Sequence, residues 1–190
     1  MAFSSQGTLF FGLTKENAIG CYNRYRELNK TNIGIVAQDY FLTKKYDPTS
    51  VIPMDVDRDQ AGRVFVSFPR IRGVPATLGT VTNITGQWGP LIKPYPDWSW
   101  FQFNHCNTLQ NVYRIEIDKC NRLWVLDTGY KGWWSKTSYC PQKLVVFDLN
   151  TDKHIRTIEI PNHIARDKNG DSLLSTPVVE TEGPRCENTT

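Results

Sequence analysis

Alternation of apolar and polar residues is clearest in the middle of the chain. Apolar residues occupy every second position from Tyr113 to Ile117, and Leu123 and Val125 continue the pattern after a short polar break at residues 118–121. Alternation on both sides of a tight break is typical of a β-hairpin with one buried face. The break carries a cysteine, which indicates a sheet protein secured by a disulfide.

The same hairpin pattern occurs twice, about 60 residues apart. The first copy consists of Pro53–Arg58, a turn and Arg63–Phe68, and the second of Tyr113–Asp118, a turn and Arg122–Asp127. The two copies superpose if the first has two extra turn residues. Repetition at this distance is typical of proteins that are built from repeated supersecondary units.

Further strand patterns follow each hairpin, at residues 76–81 after the first and at 143–149 and 154–160 after the second. Four successive antiparallel strands form one blade of a β-propeller. The sequence therefore predicts an all-β protein. Its expected units are a complete blade over residues 112–160, a looser blade over 52–102 and the start of a third in 161–190.

Composition narrows the class of protein. The 190 residues are 39% hydrophobic and 22% charged, with a net charge of +3, which describes an ordinary folded chain. Basic residues form no dense stripe, so no nucleic-acid partner is expected. No stretch approaches the ~18 apolar residues of a membrane span, so no membrane partner is expected either.

Three sequence motifs, in order along the chain, resemble a known family. They are Arg63–Gly79, Asn121–Gly129 and Cys140–Leu149. Residues 46–190 as a whole resemble the yellow/major royal jelly protein family of insects. The resemblance implies a secreted, extracellular protein with a six-bladed β-propeller, of which this chain would hold about two to three blades of four antiparallel strands.

Residues 1–45 match the family poorly and form a divergent N-terminal segment, whereas residues 46–190 form the partial propeller domain, which we expect to be truncated at its C-terminus. No basic start and apolar core of a signal peptide is visible near Leu9–Leu13. We therefore expect a fragment, a short form or an atypical N-terminus. Because an incomplete propeller leaves a sheet edge unpaired, self-association through that edge is a further expectation.

Five cysteines and three Asn-x-Ser/Thr sequons, at Asn29, Asn83 and Asn188, are typical of an oxidising compartment and a glycoprotein. A hairpin can bring Cys106 and Cys120 within the ~5.5 Å Cα separation of a disulfide. The resemblance implies that cysteines at matching positions pair. We expect the disulfides Cys106–Cys120 and Cys140–Cys186, with Cys21 left over in the divergent segment.

Two connections, Thr82–Phe103 and Gly129–Gln142, are rich in aromatic residues. Loops on a rigid scaffold often carry function, so these side chains are candidates for ligand contact at the mouth of the propeller. The alternative, which we favour, is that they pack the loops onto the blades. The candidate ligand-binding residues are Trp98, Trp100, Trp133 and Trp134.

The sequence shows no constellation that predicts catalysis. The three histidines lack metal-ligand spacing, so neither a metal nor a cofactor is expected. The carboxylate pairs Asp55/Asp57 and Glu116/Asp118 alternate with apolar residues, as on a solvated strand face. Asp127, in an Asp-Thr-Gly turn, is expected to accept backbone hydrogen bonds rather than to act as a protease residue.

For function, the resemblance implies three alternatives. The leading one is a non-catalytic secreted protein, linked to melanin and cuticle pigmentation or development, that binds a small aromatic or amine ligand. The second is a dopachrome-converting tautomerase, although no residue here is a convincing base. The third is a structural or storage protein without a ligand.

Overall fold

The computed structural model describes residues 50–86, 89–132, 135, 137–184 and 186–189. Predictions that concern Cys21, Asn29 and the rest of the segment 1–45 lie outside these residues. The described chain is nearly all-β. It contains two four-stranded antiparallel sheets and, at its end, a two-stranded hairpin.

The first blade has the strand order β1-β2-β3-β4, and the second has the order β5-β6-β7-β8. A 3-10 turn at Trp98–Phe101 lies between them, and a short helix α1 follows the second blade. The elements are β1 Asp55–Arg58, β2 Val64–Ser67, β3 Leu78–Gly86, β4 Gly89–Pro94, β5 Val112–Ile117, β6 Arg122–Asp127, β7 Lys143–Asp148, β8 Lys153–Glu159, α1 Asn162–Ala165, β9 Thr181–Glu182 and β10 Asn188–Thr189.

The partial propeller of two to three blades is therefore confirmed, and β5 to β8 form the predicted complete blade. The predicted connection Thr82–Phe103 is wrong in part, because it contains the end of β3 and all of β4. Pro90 and Pro94 are residues that disfavour a strand. Because β4 is an edge strand of its sheet, a proline whose nitrogen faces the unpaired side removes no hydrogen bond between strands.

The main core lies between the two blades. Phe65 and Tyr95 from the first blade contact each other edge to face, with ring centroids 4.8 Å apart. Tyr95 then contacts Phe147 of the second blade at 5.7 Å. All three side chains are buried in one hydrophobic cluster with Leu78 and Leu123. Burial of aromatic surface of this size stabilises the stacked pair of blades.

Two turns repeat one hydrogen-bonding design. In the first blade, the buried carboxylate of Asp59 accepts the backbone N–H of Arg63 at 2.7 Å and its Nε at 2.6 Å. In the second blade, Asp118 accepts the same groups of Arg122 at 3.0 and 2.6 Å. Gly62, with φ at +87°, provides the left-handed residue of the first turn. The two turns are equivalent without insertion, so the predicted two extra turn residues are wrong.

The arginine of each turn also reaches the next unit of the chain. Arg63 donates to both carboxylate oxygens of Asp152 in the β7–β8 turn, at 2.8 and 2.9 Å. Arg122 donates to the Thr189 hydroxyl in β10 at 2.8 Å. Each turn therefore stabilises its own hairpin. The first turn also connects its hairpin to the second blade, and the second turn connects its hairpin to β10.

The carboxylates of β1 join the first blade to the second. Asp55 accepts the backbone N–H of Ile115 at 3.0 Å, and Asp57 accepts that of Ile117 at 2.7 Å. Both carboxylates satisfy donors on β5, which is an edge strand of its own sheet. The solvated-face interpretation is therefore wrong for these two residues, and for Asp118, which is buried.

Glu116 lies on β5, close to the β1 carboxylates, and makes the stability of the fold depend on pH. Burial, followed by the nearby charges of Asp57, Asp55 and Asp118, raises the pKa of Glu116. The folded state therefore binds this proton more tightly than the unfolded chain does. Stability contributed by the protonated form is lost as the pH rises from the ordinary pKa of 4.5 through the raised value.

We expect Glu116→Gln to increase the free energy of unfolding at pH 7 by roughly 0.5 kcal/mol, a value reduced for solvent screening. At pH 4 the gain should disappear. Urea unfolding between pH 4 and 8 measures both values, and Glu159→Gln, an exposed change on β8, is the matched control. An unchanged pH slope in Glu116→Gln would contradict this prediction.

Candidate functional site

The Asp-Thr-Gly turn after β6 is organised around a fully buried carboxylate. Asp127 accepts the backbone N–H groups of Gln110 and Asn111, each at 2.8 Å, and of Gly129 at 3.0 Å. The ammonium group of Lys143, itself 2% exposed, lies 3.6 Å away. The predicted role of Asp127 as an acceptor for turn N–H groups is confirmed.

This network fixes the residues beside it. The Asn111 side-chain oxygen accepts the backbone N–H of Arg70 at 2.6 Å. The Asn111 carbonyl accepts the backbone N–H of Thr128 at 3.0 Å and its hydroxyl at 3.2 Å. Asn111 and Thr128 are therefore held rigidly where the first and second blades meet.

A third turn approaches the same region from the segment after α1. Asp167 accepts the backbone N–H groups of Asn169 and Asp171, each at 2.8 Å. The residues that flank the turn, Arg166 and Ser172, form an isolated antiparallel bridge. Gly170 is left-handed, with φ at +84°. This is the hydrogen-bonding design of the turns after β1 and β5.

These elements line a half-open cavity of about 490 Å³, which we call the polar cavity. It lies between the start of β5, the Asp-Thr-Gly turn and the third turn. Its lining combines five residues with a hydroxyl or amide side chain, two tyrosines, one carboxylate, and four residues that are apolar or glycine. The lining residues are Pro69, Asn111, Tyr113, Thr128, Tyr130, Gly132, Ser135, Asp171, Ser172, Leu173, Leu174 and Ser175.

Four hydroxyl groups of the lining already donate their protons to the protein. Thr128 donates to the Asn111 carbonyl, and Tyr130 donates to the Gly170 carbonyl at 2.6 Å. Ser135 and Ser172 donate to acceptors at 3.0 and 3.1 Å, the Thr137 carbonyl and the Gln142 side chain. Because a hydroxyl has one proton and two lone pairs, each of these groups can offer a ligand only an acceptor. One lone pair of Ser135 and one of Ser172 already accept the backbone N–H groups of Thr137 and Leu174, at 3.1 and 3.2 Å. The polar cavity therefore favours ligands that donate hydrogen bonds.

The four predicted tryptophans occupy two different places. Trp98 is 8% exposed, and Trp100 packs against Phe147 with ring centroids 4.8 Å apart. Neither is among the described residues that line the polar cavity. Trp133 and Trp134 lie outside the described residues, between Gly132 and Ser135 in the sequence. Ligand contact by these tryptophans stays a prediction.

All four predicted cysteines form disulfides, but the predicted pairing is wrong. The bonds are Cys106–Cys140, with a Cα separation of 5.2 Å, and Cys120–Cys186, with 6.4 Å. Cys106 precedes β5 and Cys120 follows it, so the six-residue strand, about 20 Å long, separates them. Cys140 precedes β7, whose start pairs with the end of β6, and so lies near Cys106.

Three other predictions concern glycosylation, metal binding and membrane spans. Asn83 in β3 and Asn188 in β10 are both exposed, and glycosylation at these positions stays a prediction. Among the described residues, no three His, Cys, Asp or Glu side chains lie close enough together to hold a metal ion. Within the same part of the chain, no helix is long and apolar enough to cross a membrane.

Sequence reasoning missed the residues of the polar cavity. The sequence predicts Thr128 only as part of a turn and predicts no role for Asp171 or Ser172. One signal was available. Residues 167–171 read Asp-Lys-Asn-Gly-Asp, which matches the aspartate and the left-handed position of Asp59–Arg63 and Asp118–Arg122.

Two stacked four-stranded blades and the hairpin that follows them define the chain as part of a β-propeller. A family model described as "Major royal jelly protein" matches residues 110–190. Major royal jelly protein 9 of Apis mellifera is 42% identical over 138 residues, which is 72% of this chain and 32% of that relative. Major royal jelly protein 2 of the same organism is 45% identical over 121 residues, which is 64% of this chain and 26% of that relative.

Over the part that these matches cover, the chain belongs to the yellow/major royal jelly protein family. It spans about a third or less of the length of the relatives described above, with coverage of 32% and 26%. Its two disulfides are consistent with the extracellular location expected for that family.

Proposed function

We propose that the chain is part of a secreted, non-catalytic yellow-like protein that binds a small aromatic amine in the polar cavity. The observation that carries this proposal is the commitment of the hydroxyl protons of Thr128, Tyr130, Ser135 and Ser172 to acceptors within the protein. A primary ammonium group offers three donors and no acceptor, and it complements such a lining.

The size and walls of the polar cavity fit the same kind of ligand. Its volume of about 490 Å³ lies within the range of small-molecule sites, roughly 300–1,000 Å³. Tyr113 and Tyr130 provide aromatic surface for a ring. Asp171 provides a negative charge on the same lining. A role in pigmentation or development rests on the family alone.

Secretion is part of the proposal. Disulfides persist in oxidising compartments, and the two here involve all four described cysteines. Exposure of Asn83 and Asn188 leaves both side chains accessible for N-linked glycans. A mass shift of the secreted protein on treatment with an endoglycosidase would test glycosylation at each position when combined with Asn→Gln variants.

Calorimetric titration of the full chain with dopamine or serotonin tests ligand binding. We expect a single saturable site in the wild type. Ser175→Trp, at the rim of the polar cavity, should abolish binding because the indole fills the entrance. Thr176→Trp, an exposed neighbour outside the lining, should keep the dissociation constant within about twofold, as expected for a surface change away from the contact.

Failure of the wild type to bind either amine would contradict the proposal and would favour a structural or storage role. Equal binding by Ser175→Trp and the wild type would move the site elsewhere. The enzymatic alternative has a separate assay, the loss of dopachrome colour in the presence of the protein. An accelerated loss that Ser175→Trp removes would identify the polar cavity as a catalytic site instead.

A further inference from the structure

The third turn contains the only Asn-Gly pair of the sequence, Asn169-Gly170. The turns after β1 and β5 have Ala61 and Cys120 at the position of Asn169. A backbone nitrogen reaches the side-chain amide of a preceding asparagine most easily when it belongs to glycine, because no side chain then shields it. Of the three turns, only this one therefore carries two neighbouring groups that can react with each other.

Both groups are open to solvent on the surface of the turn. Asn169 is exposed, and a Cβ placed on Gly170 would meet no atom of the described chain within 4 Å. The Gly170 N–H donates to the Asp167 carbonyl at 3.0 Å, and this bond must open before the nitrogen can react. Its opening leaves the bond from the Asp167 N–H to the Asp171 carbonyl, at 2.9 Å, in place. The pair can therefore rearrange without unfolding the ends of the turn.

We propose that Asn169 is a site of spontaneous deamidation. The deprotonated backbone nitrogen of Gly170 attacks Cγ of Asn169 and closes a succinimide ring. The bond between Cγ and Nδ2 breaks, and the nitrogen leaves as ammonia after it takes a proton from water. Water then opens the ring at the side-chain carbon, which gives aspartate, or at the backbone carbon, which gives isoaspartate. The net change is the uptake of one water and the loss of one ammonia, so neither an oxidant nor a reductant is needed.

The products alter the contacts of the turn. The Asn169 side-chain amide donates to the Asp167 carboxylate at 3.1 Å. Deamidation replaces this donor with a second carboxylate, so two like charges would repel where a hydrogen bond stood. Isoaspartate also adds one methylene to the main chain before Gly170, whose carbonyl accepts the Tyr130 hydroxyl at 2.6 Å. Because Tyr130 lines the polar cavity, the reaction would loosen one of its walls.

Incubation of the full chain at 37 °C and pH 8, followed by peptide mapping, tests the proposal. We expect the peptide that contains Asn169 to gain the mass of the amide-to-acid conversion and to be methylated by an isoaspartate-specific methyltransferase. Conversion should be slower at pH 6, because the attacking nitrogen must lose its proton. Asn150 and Asn162 are also exposed but precede threonine and histidine, so they are internal controls that should stay unchanged over the same period.

Gly170→Asn is the matched variant, since Asn121 occupies the equivalent position of the turn after β5 with φ at +60°. A side chain at residue 170 should slow conversion of Asn169 by about tenfold, which corresponds to a barrier higher by about 1.4 kcal/mol. Asn169→Gln should abolish conversion, because a longer side chain closes a less favourable ring, and it serves as the second variant if Gly170→Asn does not fold. Conversion of Asn169 no faster than that of Asn150, or conversion only in urea-unfolded protein, would overturn the proposal.

Discussion

Lys143→Met is expected to lower the free energy of unfolding by about 3–5 kcal/mol, the usual cost of removing one partner of a buried ion pair. Lys143 is 2% exposed, and its ammonium group lies 3.6 Å from the fully buried carboxylate of Asp127. It also donates to the carbonyls of Thr108, at 2.8 Å, and Cys106. Methionine fills a similar volume but leaves the charge of Asp127 uncompensated.

Urea unfolding at pH 7 measures this effect, and Lys153→Met, at an exposed position of β8, is the control. The double variant Lys143→Met/Asp127→Asn should be less destabilised than the sum of the two single variants, because the second change removes the uncompensated charge. A loss in Lys143→Met no larger than that in Lys153→Met would show that the pair contributes little. The same network holds Asn111 and Thr128, so ligand binding should weaken together with stability.

Removal of the Cys120–Cys186 disulfide is expected to cost about 4 kcal/mol, since it closes a loop of 66 residues in the unfolded chain. The double variant Cys120→Ser/Cys186→Ser should lose slightly more stability than Cys106→Ser/Cys140→Ser, whose bond spans 34 residues. The first variant should also release the hairpin of β9 and β10, because this bond attaches it to the β5–β6 turn. Hydrogen exchange of residues 181–189 would report that release.

Peptide mapping without reduction is the direct check on the pairing. A cross-linked peptide that contains Cys106 and Cys140 is expected. A peptide that joins Cys106 to Cys120 would contradict the strand geometry. It would also invalidate the stability losses expected for the two double variants, because the loop lengths behind them would be wrong.

Strand positions were largely predictable because they depend on local alternation. The runs from Tyr113 to Ile117 and from Leu123 to Val125 lie in β5 and β6 as predicted, although β6 is buried on both faces rather than on one. The fourth strand of the first blade was not predictable in this way. Residues 89–94 include Gly89, Pro90 and Pro94, which argue against a strand, and only their pairing with β3 makes them one.

The disulfides and the cavity depend on which segments meet in three dimensions. The pairing could have been derived from the sequence, because antiparallel strands place Cys106 and Cys140 at one end of the sheet and Cys120 at the other. The polar cavity could not, since residues 171–175 reach Thr128 and Tyr130 only through the path of the chain after β8. The residue types of its lining are ordinary, and the Asp-Lys-Asn-Gly-Asp run that ends at Asp171 marks a turn but not the other residues of the lining.

The two disulfides overlap along the sequence, because Cys120 lies inside the loop closed by Cys106 and Cys140, and Cys140 lies inside the loop closed by Cys120 and Cys186. Any single proteolytic cut between residues 106 and 186 therefore leaves both fragments covalently attached. The stretch 173–180, which is largely exposed and contains no strand, is an accessible place for such a cut. A molecule with one such cut would retain the mass of the intact chain, plus one water, until it met a reducing agent, so the second blade and its cavity walls would stay covalently connected.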